Sequence, residues 1–388
     1  MSKHHPLLGA LLFAVILSVL DLRSAWAVEH NFAGSLQLDY NLSPERSTPV
    51  GSGPTFRGFT TEAALKVTAD LTDHLSANVK VCFGCHGFET DMAYMEYRFA
   101  DELDVRAGRF SPSFGAFNLR HDPANHKLSD KPLAYDMGRM LRLRDWNLGV
   151  LPAPFPDNGA EVSGTHWFGP SYQLDWAAHV VSGFKGSNGG TDLDFAQSRN
   201  GSLYYVDNND EPAYGGRLSL TRRFAEVGDA TLGASVMHGT FDPKAQLAYT
   251  IAGADLSVRI RKMNFRIEYL VRRQDLDVSS PERYRYAVPA SGGDHFLKHG
   301  AYAEADVPIT PSLDVMAHFD LLYRAGNVLV DSPLQARSGI YRYTLGTAYS
   351  LRRGLRLKYS TELWSFSDLG YANEYTAVSM HIGAAVAF

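Results

Sequence analysis

The chain has 388 residues, is 45% hydrophobic and 20% charged, contains 20 Tyr and 21 Phe, and carries a formal net charge of -5. That balance offers no basic excess for a polyanion, so nucleic acid is not an expected partner. The only two cysteines are Cys82 and Cys85, which excludes a disulfide-stapled scaffold.

In chain order, the first segment reads as an export signal. Lys3 gives a basic start, Leu7 to Leu20 is apolar, and Ala25-Trp26-Ala27 offers a small-x-small cleavage pattern. The apolar run is short for a span and Asp21 and Arg23 interrupt its end, so residues 1–27 are expected to be removed, leaving 28–388 as one domain. After Ala27 no continuous apolar stretch is long enough for a membrane helix, which excludes a helical membrane protein.

The remainder repeats one pattern, an alternating segment followed by a turn. Strands are expected near 30–42, 56–71, 75–85, 88–99, 103–110, 157–168, 172–184, 213–222, 230–241, 247–260, 263–275, 296–307, 313–324, 340–351, 355–366 and 375–388. Within 340–351, Tyr341, Tyr343, Leu345, Tyr349 and Leu351 share one face while Arg342, Thr344 and Ser350 share the other. In 355–363, Leu355, Leu357, Tyr359 and Leu363 oppose Arg356, Lys358, Ser360 and Glu362. Soluble sandwiches also alternate, but their strands run about five or six residues, whereas a tilted membrane strand needs about 9–11. The wet faces repeatedly carry Arg, Lys, Asp and Glu, which suits a water-filled lumen better than a packed core.

The fold class expected is therefore all-β: a transmembrane antiparallel β-barrel of about sixteen strands in a bacterial outer membrane, with lipid and lipopolysaccharide outside it. An even count places both ends in the periplasm. Tight turns near Thr72-Asp73, Gly169-Pro170, Arg261-Lys262, Thr310-Pro311 and Arg352-Arg353 then fall inside. The longer connections near 43–55, 185–212, 276–295 and 325–339 fall outside. The last strand alternates Val378, Met380, Ile382, Ala384, Val386 and Phe388 outward, and its terminal Phe resembles the assembly signal of outer-membrane barrels.

The connection after the fifth strand, about Ser111 to Pro156, is far longer than its neighbours and rich in Pro, Arg, His and Asp. Such loops inside a compact fold are usually functional. Its placement resembles that of general porins, in which the loop after the fifth strand narrows the lumen. By that resemblance Arg120, His121, Asp122, His126, Arg139, Arg142, Arg144 and Asp145 are the candidates lining a channel constriction; the alternative is an external flap over the pore. The stretch Leu103 to Gly115, with Gly108-Arg109-Phe110 running into Pro112 and Phe114-Gly115, also resembles the phosphate-selective porin O and P superfamily. That resemblance implies a basic ladder along the channel. Here the wet positions mix Lys66, Lys80, Arg98, Arg266, Arg272 and Arg356 with Glu62, Glu96, Glu268, Glu304 and Glu362, so only Arg139, Arg142 and Arg144 lean toward anions.

Cys82-Phe83-Gly84-Cys85-His86 is the C-x-x-C-H pattern of c-type haem attachment. Two thioethers would hold the porphyrin edge while His86 becomes the iron ligand, with His121, His126, Met92, Met137 or Met140 as candidates for the sixth position. Porin-cytochrome fusions join one such motif to a barrel, but place it before the first strand, so the resemblance extends to the idea and not the layout. A disulfide or free thiols at a hairpin tip are the alternative. One haem at a rim cannot span an apolar band about 25 Å tall, so electron transfer would need a partner cytochrome. No Ser-His-Asp, paired-carboxylate or Walker arrangement stands out, so no enzyme is expected. The leading expectation is a porin passing small hydrophilic solutes, with anions a candidate class and a homotrimer implied by analogy with sixteen-strand porins; the alternative is a haem c-bearing barrel engaged in electron transfer.

Overall fold

A computed structural model of the protein describes residues 29–42, 58–84, 87–122, 125–136, 149–151, 155–186, 195, 198, 205–277, 286–287, 295–326, 328–329, 337–368 and 375–388. The segment read as an export signal lies outside these. The first half of the wall is β1 (Glu29–Leu42), β2 (Gly58–Asp70), β3 (Leu75–Gly84), β4 (Gly87–Ala100), β5 (Leu103–Phe110), β6 (Asp157–Phe168), β7 (Tyr172–Val181) and β8 (Ala213–Phe224). The second half is β9 (Gly228–Thr240), β10 (Ala248–Ile260), β11 (Met263–Asp275), β12 (His295–Pro308), β13 (Leu313–Gly326), β14 (Arg337–Arg352), β15 (Leu355–Asp368) and β16 (Tyr375–Ala387). Each pairs antiparallel with its sequence neighbour, and β1 closes on β16 to give a barrel of sixteen strands.

Closure leaves no edge strand, so every wall N–H and C=O can find a partner without water, the condition for spanning lipid. The pleat then sorts the side chains. On β1, Leu36, Leu38 and Tyr40 face outward and are exposed while Ser35, Gln37 and Asp39 face in and are buried. This is a soluble core turned inside out, and a continuous belt of exposed Leu, Ile, Val and aromatic side chains makes the barrel of the outer-membrane type. The seam between first and last strands runs from Ser35 opposite Ala387 to Leu42 opposite Met380. The terminal Phe388 completes it by exchanging two backbone bonds with Gly34, of 2.9 and 3.1 Å.

The connections at one end are short. Thr72 and Thr310 each turn the chain by accepting two backbone N–H groups on the hydroxyl, from His74 and Leu75 and from Ser312 and Leu313. Arg261 and Gly354 adopt left-handed backbone at two-residue turns. The sequence expectation carried the seventh strand to 184. It ends at Val181, because Gly183 takes a φ of +93° and its N–H turns to Asp157 Oδ2 at 2.6 Å. Beyond the wall, Tyr286–Ala287 pairs with Val328–Leu329, joining the connections after β11 and β13.

Candidate functional site

The connection between β5 and β6 passes into the barrel. Phe110, Phe114 and Phe117 lead it inward, and they join Leu133, Tyr135 and Val150 of the same connection. These pack against Ile251, Leu270, Tyr302, Leu322 and Ile340 from the inner face of β10 to β14. The upper lumen is therefore partly filled by an apolar cluster, where a uniformly wet face was expected. Leu270, Leu322 and Ile340 sit on the inward side of strands that also turn Glu268, Asp320 and Arg342 inward. Close packing is possible because the wall is notched: a Cβ at Gly300 would lie only 2.8 Å from that of Ala134.

Buried polar groups tie the connection to the wall all the way round. At its entrance Glu161 accepts from Arg106 Nη2 (2.6 Å), from Ser113 N (2.7 Å) and from Ser113 Oγ (2.8 Å). At its centre Glu268 of β11 collects four donors: the N–H groups of Ala116 (2.8 Å) and Phe117 (3.2 Å), and the hydroxyls of Tyr302 (3.0 Å) and Tyr135. Gly115 allows this approach, since its φ is +63° and a Cβ would lie 2.4 Å from Glu268 Oε1. Toward β1 and β15, Ser129 Oγ donates to Asp39 Oδ1 at 2.9 Å, and Lys358 Nζ reaches Leu128 O at 3.3 Å. Across β13 and β14, Asp320 accepts Leu133 N–H at 2.8 Å. Arg342 donates to Lys131 O at 2.7 Å, Asp130 Oδ2 at 3.1 Å and Asp320 Oδ2 at 2.8 Å. An external flap would make none of these contacts.

Of the residues singled out from the sequence, Arg120 donates to Tyr302 Oη at 3.0 Å and lies 4.0 Å from Glu304. Burial would lower its pKa, but Tyr302 and Glu304 outweigh it and the guanidinium stays charged. His121 and Asp122 meet Lys80 of β3, with Nε2 at 3.2 Å and Oδ1 at 2.5 Å from its Nζ. Burial alone would lift the Asp122 carboxyl, yet the neighbouring His121 and Lys80 charges hold it below the usual carboxylate range. His126 is buried and directs Nδ1 to Leu128 O at 2.8 Å. Burial, then Lys358 and Lys131, push its pKa well below the ordinary imidazole value, so the ring is neutral. Arg139, Arg142, Arg144 and Asp145 lie outside the described residues.

Several residues passed over in the sequence belong to the same site. Lys127 bridges Asp306 (2.8 Å) and Asp314 (3.1 Å), Lys131 pairs with Glu62 at 3.4 Å, and Asp130 is buried between Arg342 and His381. Burial and the adjacent Glu362 carboxylate raise Asp130 well above the usual range. Their signal was available, as charged residues in the same connection as Arg120 and His121. The side chains that keep contact with solvent inside the barrel carry both signs: Asp122 (32% exposed), Lys127 (25%), Arg266 (24%), Arg120 (21%) and Glu304 (13%).

Of the two cysteines and the histidine of the C-x-x-C-H motif, Cys82 alone is among the described residues; Cys85 and His86 lie outside them. Cys82 is a free thiol, and its Sγ donates to Asp91 Oδ2 at 3.6 Å. Asp91 also pairs with Lys80 at 2.7 Å and faces His121 Nε2 at 3.7 Å.

This wall and inward connection define the porin-like class of outer-membrane barrels. Among solved structures, OmpT of Vibrio cholerae superposes with a TM-score of 0.53 at 11% identity, covering 95% of this chain and 100% of that one. The anion-selective porin of Comamonas acidovorans gives 0.52 at 13% identity over 93% and 100%. The outer-membrane channel DcaP of Acinetobacter baumannii gives 0.54 at 14% identity over 93% and 97%. At such identities the likeness is one of fold. No family model and no curated protein matches the sequence.

Proposed function

We propose that the protein is an outer-membrane channel for small hydrophilic solutes, with the connection after β5 as its constriction. The observation that carries this reading is the seat of that connection, fixed across the lumen by Glu161, Glu268, Asp320 and Arg342 while charged side chains stay in contact with water beside it. The stretch Gly108-Arg109-Phe110 that resembles phosphate-selective porins is where the chain leaves the wall, with Phe110 as the first residue of the apolar cluster. There Arg120 and Arg266 face Glu304, Lys127 faces Asp306 and Asp314, and Asp122 faces Lys80, so a preference for anions rests on Arg139, Arg142 and Arg144. One OmpT structure is a trimer form, which supports a homotrimer for this barrel of the same architecture.

Purified protein in planar bilayers is expected to give discrete conductance steps that enlarge when residues 115–150 are deleted. A silent bilayer from correctly folded barrel would overturn the channel reading. Reversal potentials in a salt gradient test the finer point, with Arg139, Arg142 and Arg144 changed together to Gln shifting selectivity toward cations.

A second reading is covalent haem c on Cys82, Cys85 and His86. It is favoured by His121, which reaches the same Asp91 that accepts from the Cys82 thiol. Against it, the thiol is set among Lys80 and Asp91, a charged setting in place of the apolar shell a porphyrin prefers. A haem-peroxidase stain of denatured protein made with a haem-maturation system decides it, and absence of covalent haem would end this reading.

A further inference from the structure

Asp130 from the lumen connection, Glu362 from β15 and His381 from β16 meet at one buried point. His381 Nε2 lies 3.2 Å from Asp130 Oδ2 and 3.4 Å from Glu362 Oε2, and donor atoms of all three fall within 4.8 Å of one another. Metal bonds of about 2.0–2.1 Å in a tetrahedral site place its ligand atoms about 3.3–3.4 Å apart. The two edges from His381 match that spacing.

A further observation points to a ligand. Directly across the strands, Thr344 is paired with Glu362 and Ser360 with His381 on the same inward face. Both hydroxyls are buried, at 3% and 1% exposure, and neither has a hydrogen-bond partner. Buried polar groups without partners are uncommon, and an ion carrying its own water would supply them. Asp130 and Glu362 are also held from behind by one guanidinium, that of Arg342, which Asp320 shares.

We propose that Asp130, Glu362 and His381 bind a single divalent transition-metal ion of the Zn2+ type, which fastens the lumen connection to the β15–β16 wall. Imidazole nitrogen with two carboxylate oxygens suits such a borderline ion better than Ca2+ or Mg2+, which favour all-oxygen shells. Arg342 and Ser379 stand behind the ligands: Nη1 of the former is 3.3 Å from Glu362 Oε1, and the hydroxyl of the latter donates to Oε2 at 2.8 Å. Outer partners of this kind orient a ligating carboxylate and tune its basicity. Because Asp130 is the one ligand from the connection, the ion would act as a removable fastening.

The test uses the full barrel without an affinity tag, folded in detergent, stripped with a chelator and dialysed. Loading with Zn2+ and counting bound metal is expected to give one equivalent per chain, and Co2+ in its place should produce visible d–d absorption. His381→Gln is expected to weaken Zn2+ binding at least tenfold and abolish the Co2+ bands. Asp130→Asn, which alters only the connection and leaves the wall intact, should do the same. Heat-modifiable migration on denaturing gels verifies folding of each variant. Folded wild-type protein that takes up no metal, or an Asp130→Asn variant that binds Zn2+ as wild type does, would overturn the proposal. Neither readout depends on whether the lumen conducts.

Discussion

Glu268 is where the seat of the lumen connection can be tested most directly. Its Oε1 accepts the Ala116 N–H and the Tyr135 hydroxyl, and its Oε2 accepts the Phe117 N–H and the Tyr302 hydroxyl. In Glu268→Gln the amide keeps the shape but must turn an NH2 toward one of these pairs. A tyrosine hydroxyl can rotate to accept from it, but a backbone N–H cannot, so one buried donor is orphaned whichever way the amide lies. An orphaned buried group costs about 1–3 kcal/mol, and the surviving bonds lose their charge assistance, so about 2–4 kcal/mol leaves the seated state. At about 1.4 kcal/mol per tenfold, even the lower figure raises the unseated population about thirtyfold. Single-channel recording should then show larger or noisier openings, and protease added from outside should cut the connection faster. Asp175→Asn is the control, since Asp175 bonds only Thr165 and Gln173 on the wall. Equal noise and equal protease resistance in Glu268→Gln and wild type would refute the reasoning.

Gly115→Ala should unseat the same segment by another route, because left-handed backbone costs a residue with a Cβ about 1–2 kcal/mol and that Cβ would lie 2.1 Å from the Tyr135 hydroxyl; unchanged conductance would contradict it. His126 gives the seat a pH dependence: its depressed pKa leaves it neutral when seated, whereas a released ring takes a proton below about pH 6.5. The seat should therefore lose up to about 1.4 kcal/mol per pH unit from there down to the seated value and change little above, so gating between pH 7 and 5 should respond less steeply in His126→Phe. Arg120→Glu should shift reversal potentials toward cations without altering heat-modifiable migration. Leu345→Arg, 67% exposed on the outer face of β14, should lower barrel stability by about 2–4 kcal/mol in urea titrations while leaving conductance unchanged.

The wall was readable because its rule is local. A period of two with long strands needs no knowledge of neighbours, and Tyr341, Tyr343 and Leu345 on β14 announce the lipid side by themselves. Errors fell where tertiary contacts overrule the pattern, as at Val181, where Asp157 captures the Gly183 N–H and ends the strand. The site was readable in part. Arg120, His121, Asp122 and His126 could be chosen because they are charged or titratable and lie in a long connection. Lys127, Asp130 and Lys131 lie in that same connection, and their partners Asp306, Arg342 and Glu62, like Lys80 for Asp122, are distant in sequence and brought close only by folding. Glu268 read as one wet residue among many, since four donors from distant positions converge on it only after folding. The apolar lining of the upper lumen was hidden for the same reason: Leu270 and Ile340 break the alternation, and their packing partners Phe117, Tyr135 and Val150 are far away along the chain.

Fold and filter are held by separate sets of interactions, and this separation bears on how such a protein can change function. The wall is closed by backbone bonds between adjacent strands, from β1 with β2 round to β16 with β1, and the connection after β5 supplies none of that ladder. The connection is held instead by side chains that point inward from β1, β6, β11, β13, β14 and β15: Asp39, Glu161, Glu268, Asp320, Arg342 and Lys358. Substitutions among these residues leave the hydrogen bonding that membrane insertion demands untouched, while moving charge in and out of the narrowing. A barrel can therefore keep its outward alternation and its closure while its interior diverges almost freely, which accounts physically for superposition on other barrels over more than nine-tenths of the chain at 11–14% identity. If the barrel conducts as proposed, the inward charges, and not the wall, are where its solute preference is to be sought.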